Sequence, residues 1–147
     1  MEENDTVKML EAGAGALKDQ HQKITTLTTE LYAHVTGDDE EENKYFGETI
    51  PDAVKLFTAH FKTQENLMVL IKASPEEWDG HKKDHREFLA SINEHVTRFR
   101  ATKCADLLVV ASYTKRWVLD HAKKYDKTYA EYFNKLIEGT GIEALQV

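Results

Sequence analysis

The sequence predicts an all-α fold, an up-down-up-down four-helix bundle with a short C-terminal helix. Two observations carry this. Helix breakers are sparse: prolines stand only at 51 and 75, and most of the seven glycines lie near the ends or in joins. Between the breakers, apolar residues recur near every 3.6 positions, and no sustained alternation marks a sheet. Residues 15 to 36 carry Leu17, Ile24, Leu27, Leu31 and Val35, and residues 52 to 73 carry Val54, Phe57, Phe61, Leu67, Met68 and Ile71. Residues 76 to 100 carry Trp78, Phe88, Ile92, Val96 and Phe99, while 103 to 121 carry Leu107, Val110, Tyr113, Trp117 and Val118. A further segment, Lys127 to Glu138, holds Tyr129, Tyr132, Phe133 and Leu136 and reads as a short helix stopped by Gly139.

The joins set the topology. Gly37 to Ile50 is the longest, and its acidic run Asp38 to Glu42 reads as a solvated loop. Ser74 and Pro75, with Glu77 three residues after the serine, spell a capping box and a firm helix start. The join at Ala101 to Lys103 is short, so the helices on either side are antiparallel neighbours. No repeat or linker divides the chain, which is expected to form one domain over residues 1–147 with a core of about 15–138.

Composition excludes several functions. The net charge is −7, which disfavours nucleic acid, since phosphate binding rests on clustered Lys and Arg. The longest apolar run, Leu107 to Ser112, is far short of the roughly 18 residues a bilayer span needs. The start, Met1 to Asp5, is acidic where a targeting peptide is basic, so the cytoplasm is the expected location. A lone Cys104 rules out multi-thiolate metal sites and an internal disulfide. Any metal must therefore be held by histidine and carboxylate.

The seven histidines are the informative feature. His60 and Gln64 lie four apart on the second helix, and His81 and His85 lie four apart on the third. That spacing lets both side chains of a pair reach one point. His21 interrupts the stripe of the first helix, and His121 continues that of the fourth. Burying so many imidazoles around one centre without a metal leaves ring nitrogens unpaired, each at a cost of about 1–3 kcal/mol. Imidazole with carboxylate suits iron, zinc, manganese or copper. Asp126 is the evident inward carboxylate. It follows His121 by five residues, so the helix must widen or break for both to reach one centre.

These residues resemble the hemerythrin family over roughly residues 17 to 136. The family order is His on the first helix, H-x-x-x-E on the second, H-x-x-x-H on the third and H-x-x-x-x-D on the fourth. It is met by His21, by His60 and Gln64, by His81 and His85, and by His121 and Asp126, with Gln64 standing where the family has Glu. Phe61, Met68, Phe88 and Trp117 match neighbouring positions. The resemblance implies two irons, one on His81, His85 and His121 and one on His21 and His60, with Asp126 bridging. It also implies an oxygen pocket around Trp117, Val118 and Ala122.

Gln64 puts the second iron in doubt. A neutral amide leaves positive charge uncompensated in a dry core, and it offers one good oxygen donor where a carboxylate offers two. Glu65 replaces it only if the second helix carries a bulge. Leu67 and Met68 keep the ordinary phase, so Glu65 is expected to face outward. His34 and His95 match no ligand position, and Cys104 reads as an inert small residue.

The implied function is reversible binding of dioxygen, or of another small diatomic ligand, by a non-haem iron carrier, store or sensor. No group for general acid-base work on an organic substrate stands out, and no protein partner is legible. The first alternative is an altered mono-iron or mixed-metal centre with an oxidase, peroxide-handling, nitric oxide-handling or iron-sensing role. The second is a bundle whose site has decayed and which serves protein interaction.

Overall fold

Four long helices run through the computed structural model, which describes residues 3–71 and 75–146: α1 (Glu3–Ala33), α2 (Asp39–Met68), α3 (Pro75–Thr102) and α4 (Leu107–His121). A π-helical turn, Ala122–Asp126, leads into α5 (Lys127–Leu136). Among the described residues there is no strand. Helix α1 packs on α2 and α4, while α3 packs on α2 and α4, which is the expected bundle. The serine expected to cap α3, Ser74, lies outside the described residues, and α3 begins at Pro75.

Two boundaries differ from expectation. Helix α1 begins at Glu3 rather than near 15, because Gly13 serves as a contact and not as a breaker. A β-carbon there would stand 2.5 Å from Leu67 Cδ1, so any larger residue would push the buried Leu67 side chain aside where α1 meets α2. Leu10 and Ala14 are buried as a result, and the core starts before residue 15.

The acidic run is the first turn of α2 and not a loop. Asp38 caps it by accepting from the Glu41 backbone N–H at 3.0 Å, and the acids that follow face the positive end of the helix dipole. Glu42 Oε2 accepts from the backbone N–H groups of Thr36 and Gly37 at 3.2 and 2.7 Å, holding the turn where Gly37 adopts φ +83°. Pro51 lies inside α2, where it cannot donate to the Gly47 carbonyl, and the helix continues through it.

The interior has three tiers. One apolar cluster gathers Ile24, Leu31, Phe46, Phe57, Phe88 and Val110, and the other gathers Leu10, Leu17, Leu67, Trp78, Tyr129 and Phe133. The buried polar residues His60, Gln64, His81, His85 and His121 fall between the two clusters in chain position. Each fully buried Leu, Ile or Phe contributes about 1.5–3 kcal/mol, so the two apolar tiers stabilise the bundle that carries the polar one.

Phe88 is completely buried, with ring centroids 4.6 Å from Phe57 and 4.2 Å from Trp117. We expect Phe88→Ala to cost about 3–5 kcal/mol in chemical denaturation. Removal of the α2 cap by Asp38→Ala is expected to cost about 1 kcal/mol.

Candidate metal centre

The third helix supplies two rings one turn apart. His81 and His85 are each 1% exposed, and His121, at the end of α4, joins them. His121 Nε2 lies 3.0 Å from His81 Nε2 and 3.2 Å from His85 Nε2. The π-helical turn widens the chain after His121, as the five-residue spacing requires, and brings Asp126 Oδ1 to 3.1 Å from His121 Nε2 and 3.3 Å from His81 Nε2.

Carboxylates fix the outer nitrogens of two of these rings. Asp84 Oδ2 lies 2.6 Å from His121 Nδ1, and Glu65 Oε2 lies 3.2 Å from His85 Nδ1. Each Nδ1–H donates outward, so Nε2 is the nitrogen turned inward, as a lone pair in His85 and, once its second proton has left, in His121. Two lone pairs 3.2 Å apart repel unless a cation or proton sits between them. Imidazole nitrogens bound at about 2.1 Å and at right angles around one ion are about 3.0 Å apart, so the observed spacing fits a shared metal. The donor atoms of His81, His85 and His121 all lie within 4.8 Å of one another.

His60, on α2, is set by a different network. Thr63 Oγ1 donates to the Ala59 carbonyl at 2.9 Å and accepts from Gln20 Nε2 at 3.1 Å. Gln20 Oε1 is thereby turned to accept from His60 Nδ1–H at 3.0 Å, leaving His60 Nε2 as an acceptor. Gln64, 4% exposed, donates from Nε2 to Asp126 Oδ1 at 3.1 Å, and its Oε1 has no partner. A cavity of about 450 Å³ adjoins this half of the site, with His21, His60, Gln64 and Asp126 in its wall.

Burial governs the electrostatics. It pushes the His60 imidazole down to about 4, and the neighbouring Asp126 only partly opposes it. Burial also lowers His81 and His85. In His121 burial works the same way, but hydrogen bonds to Asp126 and Asp84 outweigh it and raise the ring above its ordinary value. Burial disfavours the Asp126 carboxylate, yet hydrogen bonds from His121 and His81 hold it far below the usual range. The centre therefore offers an ionised carboxylate and mainly neutral imidazoles, the protonation states that bind metal.

The structure thus defines a histidine-carboxylate metal site in the waist of a four-helix bundle. Residues 12–133 match the Hemerythrin HHE cation binding domain, and the chain belongs to the hemerythrin family. It is similar to bacteriohemerythrin of Pseudomonas aeruginosa (strain LESB58), with 27% identity over 123 residues, 83% of this chain and 76% of that protein. The bacteriohemerythrin of Pseudomonas paraeruginosa is 27% identical over the same shares. No solved structure matches. Family and histidine cluster together make this a non-haem iron-binding protein.

The remaining expected site residues are placed as follows. His21 lies exposed on the cavity wall, outside the buried cluster. Trp117 stacks on His121 with centroids 4.3 Å apart, and Trp117 and Val118 pack against the apolar cluster that holds Phe57 and Phe88. Neither they nor Ala122 lines the cavity beside His60. Glu65 is half-buried on His85 rather than facing outward as expected, and α2 reaches it as a regular α-helix. It is one turn beyond buried Phe61, and that phase was the available signal. Asp84 and Gln20 were not singled out from the sequence, although Asp84 lies inside the His81 to His85 turn and Gln20 directly precedes His21. His34 is exposed, His95 is half-buried, and Cys104 lies exposed in the join before α4.

Two outcomes are expected. Asp84→Asn should weaken metal binding about 10- to 100-fold in competition with a chromophoric chelator. In metal-free protein, the unfolded chain protonates His60 near pH 6.5 and the folded chain only near 4, so acidification through this window favours unfolding. His60 alone accounts for about 3 kcal/mol, or a Tm lower by about 5–10 °C at pH 4 than at pH 7, in a thermal scan.

Proposed function

We propose that this protein binds dioxygen, or another diatomic gas, at an iron centre held by His81, His85, His121 and Asp126. His21, His60 and Gln64 then offer a second, weaker metal position. The observation that carries the reading is the convergence of three imidazole nitrogens and one carboxylate oxygen beside a cavity that reaches His60. Ferrous iron held there would supply the electrons that bound dioxygen accepts.

The chain's own residues prepare that chemistry. Asp84 and Glu65 hold protons at the outer nitrogens of His121 and His85, which raises the donor strength of the inner ones. Phe61 lies flat against His85 with centroids 3.9 Å apart, and Trp117 covers His121. Each ring covers one face of its imidazole. The ligand approaches through the cavity by His60, while Val118 packs against the apolar cluster. Such a centre suits a carrier, store or sensor. The acidic balance and the lack, among the described residues, of a helix long and apolar enough to cross a membrane support a cytoplasmic setting without nucleic acid.

The second reading is a centre with one iron or a mixed pair, which oxidises, handles peroxide or nitric oxide, or senses iron. Gln64 favours it, because its amide donates to the same Asp126 oxygen that faces His81 and His121. An oxygen engaged in this way is a poorer bridge.

Iron per chain and the visible spectrum under cycles of oxygen and argon separate the readings. An oxygen-dependent band that reverses without loss of iron supports gas binding. One iron per chain with no reversible band supports the second reading, and no iron after reconstitution sinks both. Gln64→Glu is expected to raise the iron ratio toward two and strengthen the band, because it restores a carboxylate beside the weaker position.

A further inference from the structure

The family match ends at residue 133, inside α5, and the chain beyond it turns back on the protein. Helix α5 closes at Leu136, and Gly139 and Gly141 follow at φ +79° and +82°, a left-handed backbone that residues with a β-carbon adopt at a cost. Thr140 fixes this reversal: its hydroxyl donates to the Ile137 carbonyl and accepts from the Ile142 N–H. From residue 142 to 146 the returning segment has no regular secondary structure. Residues 141–146 form one wall of the cavity that reaches His60, and α1 contributes Ala14, Leu17 and Lys18 to the same cavity.

The fastenings of this segment are of a kind that opens. Asn134 on α5 donates to the Leu145 carbonyl at 3.2 Å and accepts from the Leu145 N–H at 2.7 Å, so one side chain makes a two-point clamp. Lys18 on α1 pairs with Glu143 at 3.6 Å, but both side chains are largely exposed, and water leaves such a pair little net worth. Ile142 and Leu145 rest on the apolar cluster that holds Leu67 and Trp78, and both stay half-buried. The bundle helices, by contrast, are anchored by fully buried side chains along their length. A segment held by an amide clamp and half-buried side chains separates from the fold at far less cost than global unfolding.

We propose that residues 139–146 form a hinged lid that swings on Gly139 and Gly141, with Asn134 as its latch, and that its opening admits small molecules to the metal centre past His60. The inference concerns access and assigns the cavity no ligand of its own. It deepens the gas-binding reading by naming the step at which entry is controlled, and it is tested through the iron, whatever gas the iron takes.

The test uses the full iron-loaded chain under argon. Opening is read by hydrogen–deuterium exchange over residues 137–146, and access by the rate at which 2,2′-bipyridine removes iron, followed by colour. Asn134→Ala removes both latch bonds. Gly141→Ala strains the hinge, and its β-carbon meets nothing within 4 Å, so backbone conformation alone carries its effect. Each variant should exchange faster over 137–146 and lose iron about five- to tenfold faster, while exchange in α1 to α4 stays as it was. Asp38→Ala, which weakens the α2 cap without touching the lid, should leave the rate of iron loss nearly unchanged.

Unchanged exchange over 137–146 in both variants would overturn the proposal. Faster lid exchange with unchanged iron loss would do the same, because the segment would then open without admitting anything, and an intact oxygen band would leave the gas reading standing. Equal acceleration by Asp38→Ala would also overturn it, since iron would then leave by unfolding of the bundle. Iron loss that follows the lid in a chain with no reversible oxygen band would keep the lid and count against the gas reading alone.

Discussion

The rest of the structure depends on one electrostatic constraint: three inward-facing imidazole nitrogens and a carboxylate meet in a layer closed above and below by hydrocarbon. Apolar tiers on both sides hold the helices at fixed separation, so the rings cannot move apart to relieve their repulsion. A shared cation removes the repulsion, and its binding energy is then also folding energy. Metal occupancy and stability are one quantity in such a protein. The carboxylates behind His85 and His121 commit these rings to the tautomer that faces the centre.

The two halves of the centre differ in the chemistry of their supports. Behind His85 and His121 stand Glu65 and Asp84, which carry charge. Around His60 stand Gln20 and Gln64, which are amides. Negative charge in direct contact with the rings is thus concentrated on the half that clusters three histidines, while the groups bonded around His60 are amides, with the shared Asp126 beside them. Such a polarised centre favours a cation most strongly where the three histidines cluster. Gln64 belongs to both halves, since one end of its amide engages Asp126 and the other is free.

Most of the fold was legible because helical period and sparse breakers are local signals. Two misreadings have local causes as well. Gly13 has the look of a breaker until Leu67 is placed against it, and the run Asp38 to Glu42 reads as a loop unless its first acid is recognised as a cap. The His pairs and the widening before Asp126 follow from spacing alone. Asp84, Glu65 and Gln20 do not, because polar residues on the border of an apolar stripe look the same whether they meet water or a ring from another helix. The exposed position of His21 was hidden for a similar reason: helical phase gives a direction, but not the depth at which a rod sits in the bundle.

The π-helical turn ties together parts that would otherwise vary separately. It places Asp126 beside His121, and it also sets the phase with which Tyr129 and Phe133 enter the apolar cluster that holds Leu67 and Trp78. A chain shortened by one residue between His121 and Asp126 would set the two four apart, where a regular α-helix already brings them to one face. With all residues kept, straightening the turn into a regular α-helix would swing the carboxylate away from its imidazoles and rotate two aromatic anchors out of their sockets. Loss of the acidic ligand by straightening and loss of the C-terminal packing are therefore a single event. In this bundle a local irregularity is the joint that keeps chemistry and architecture in step.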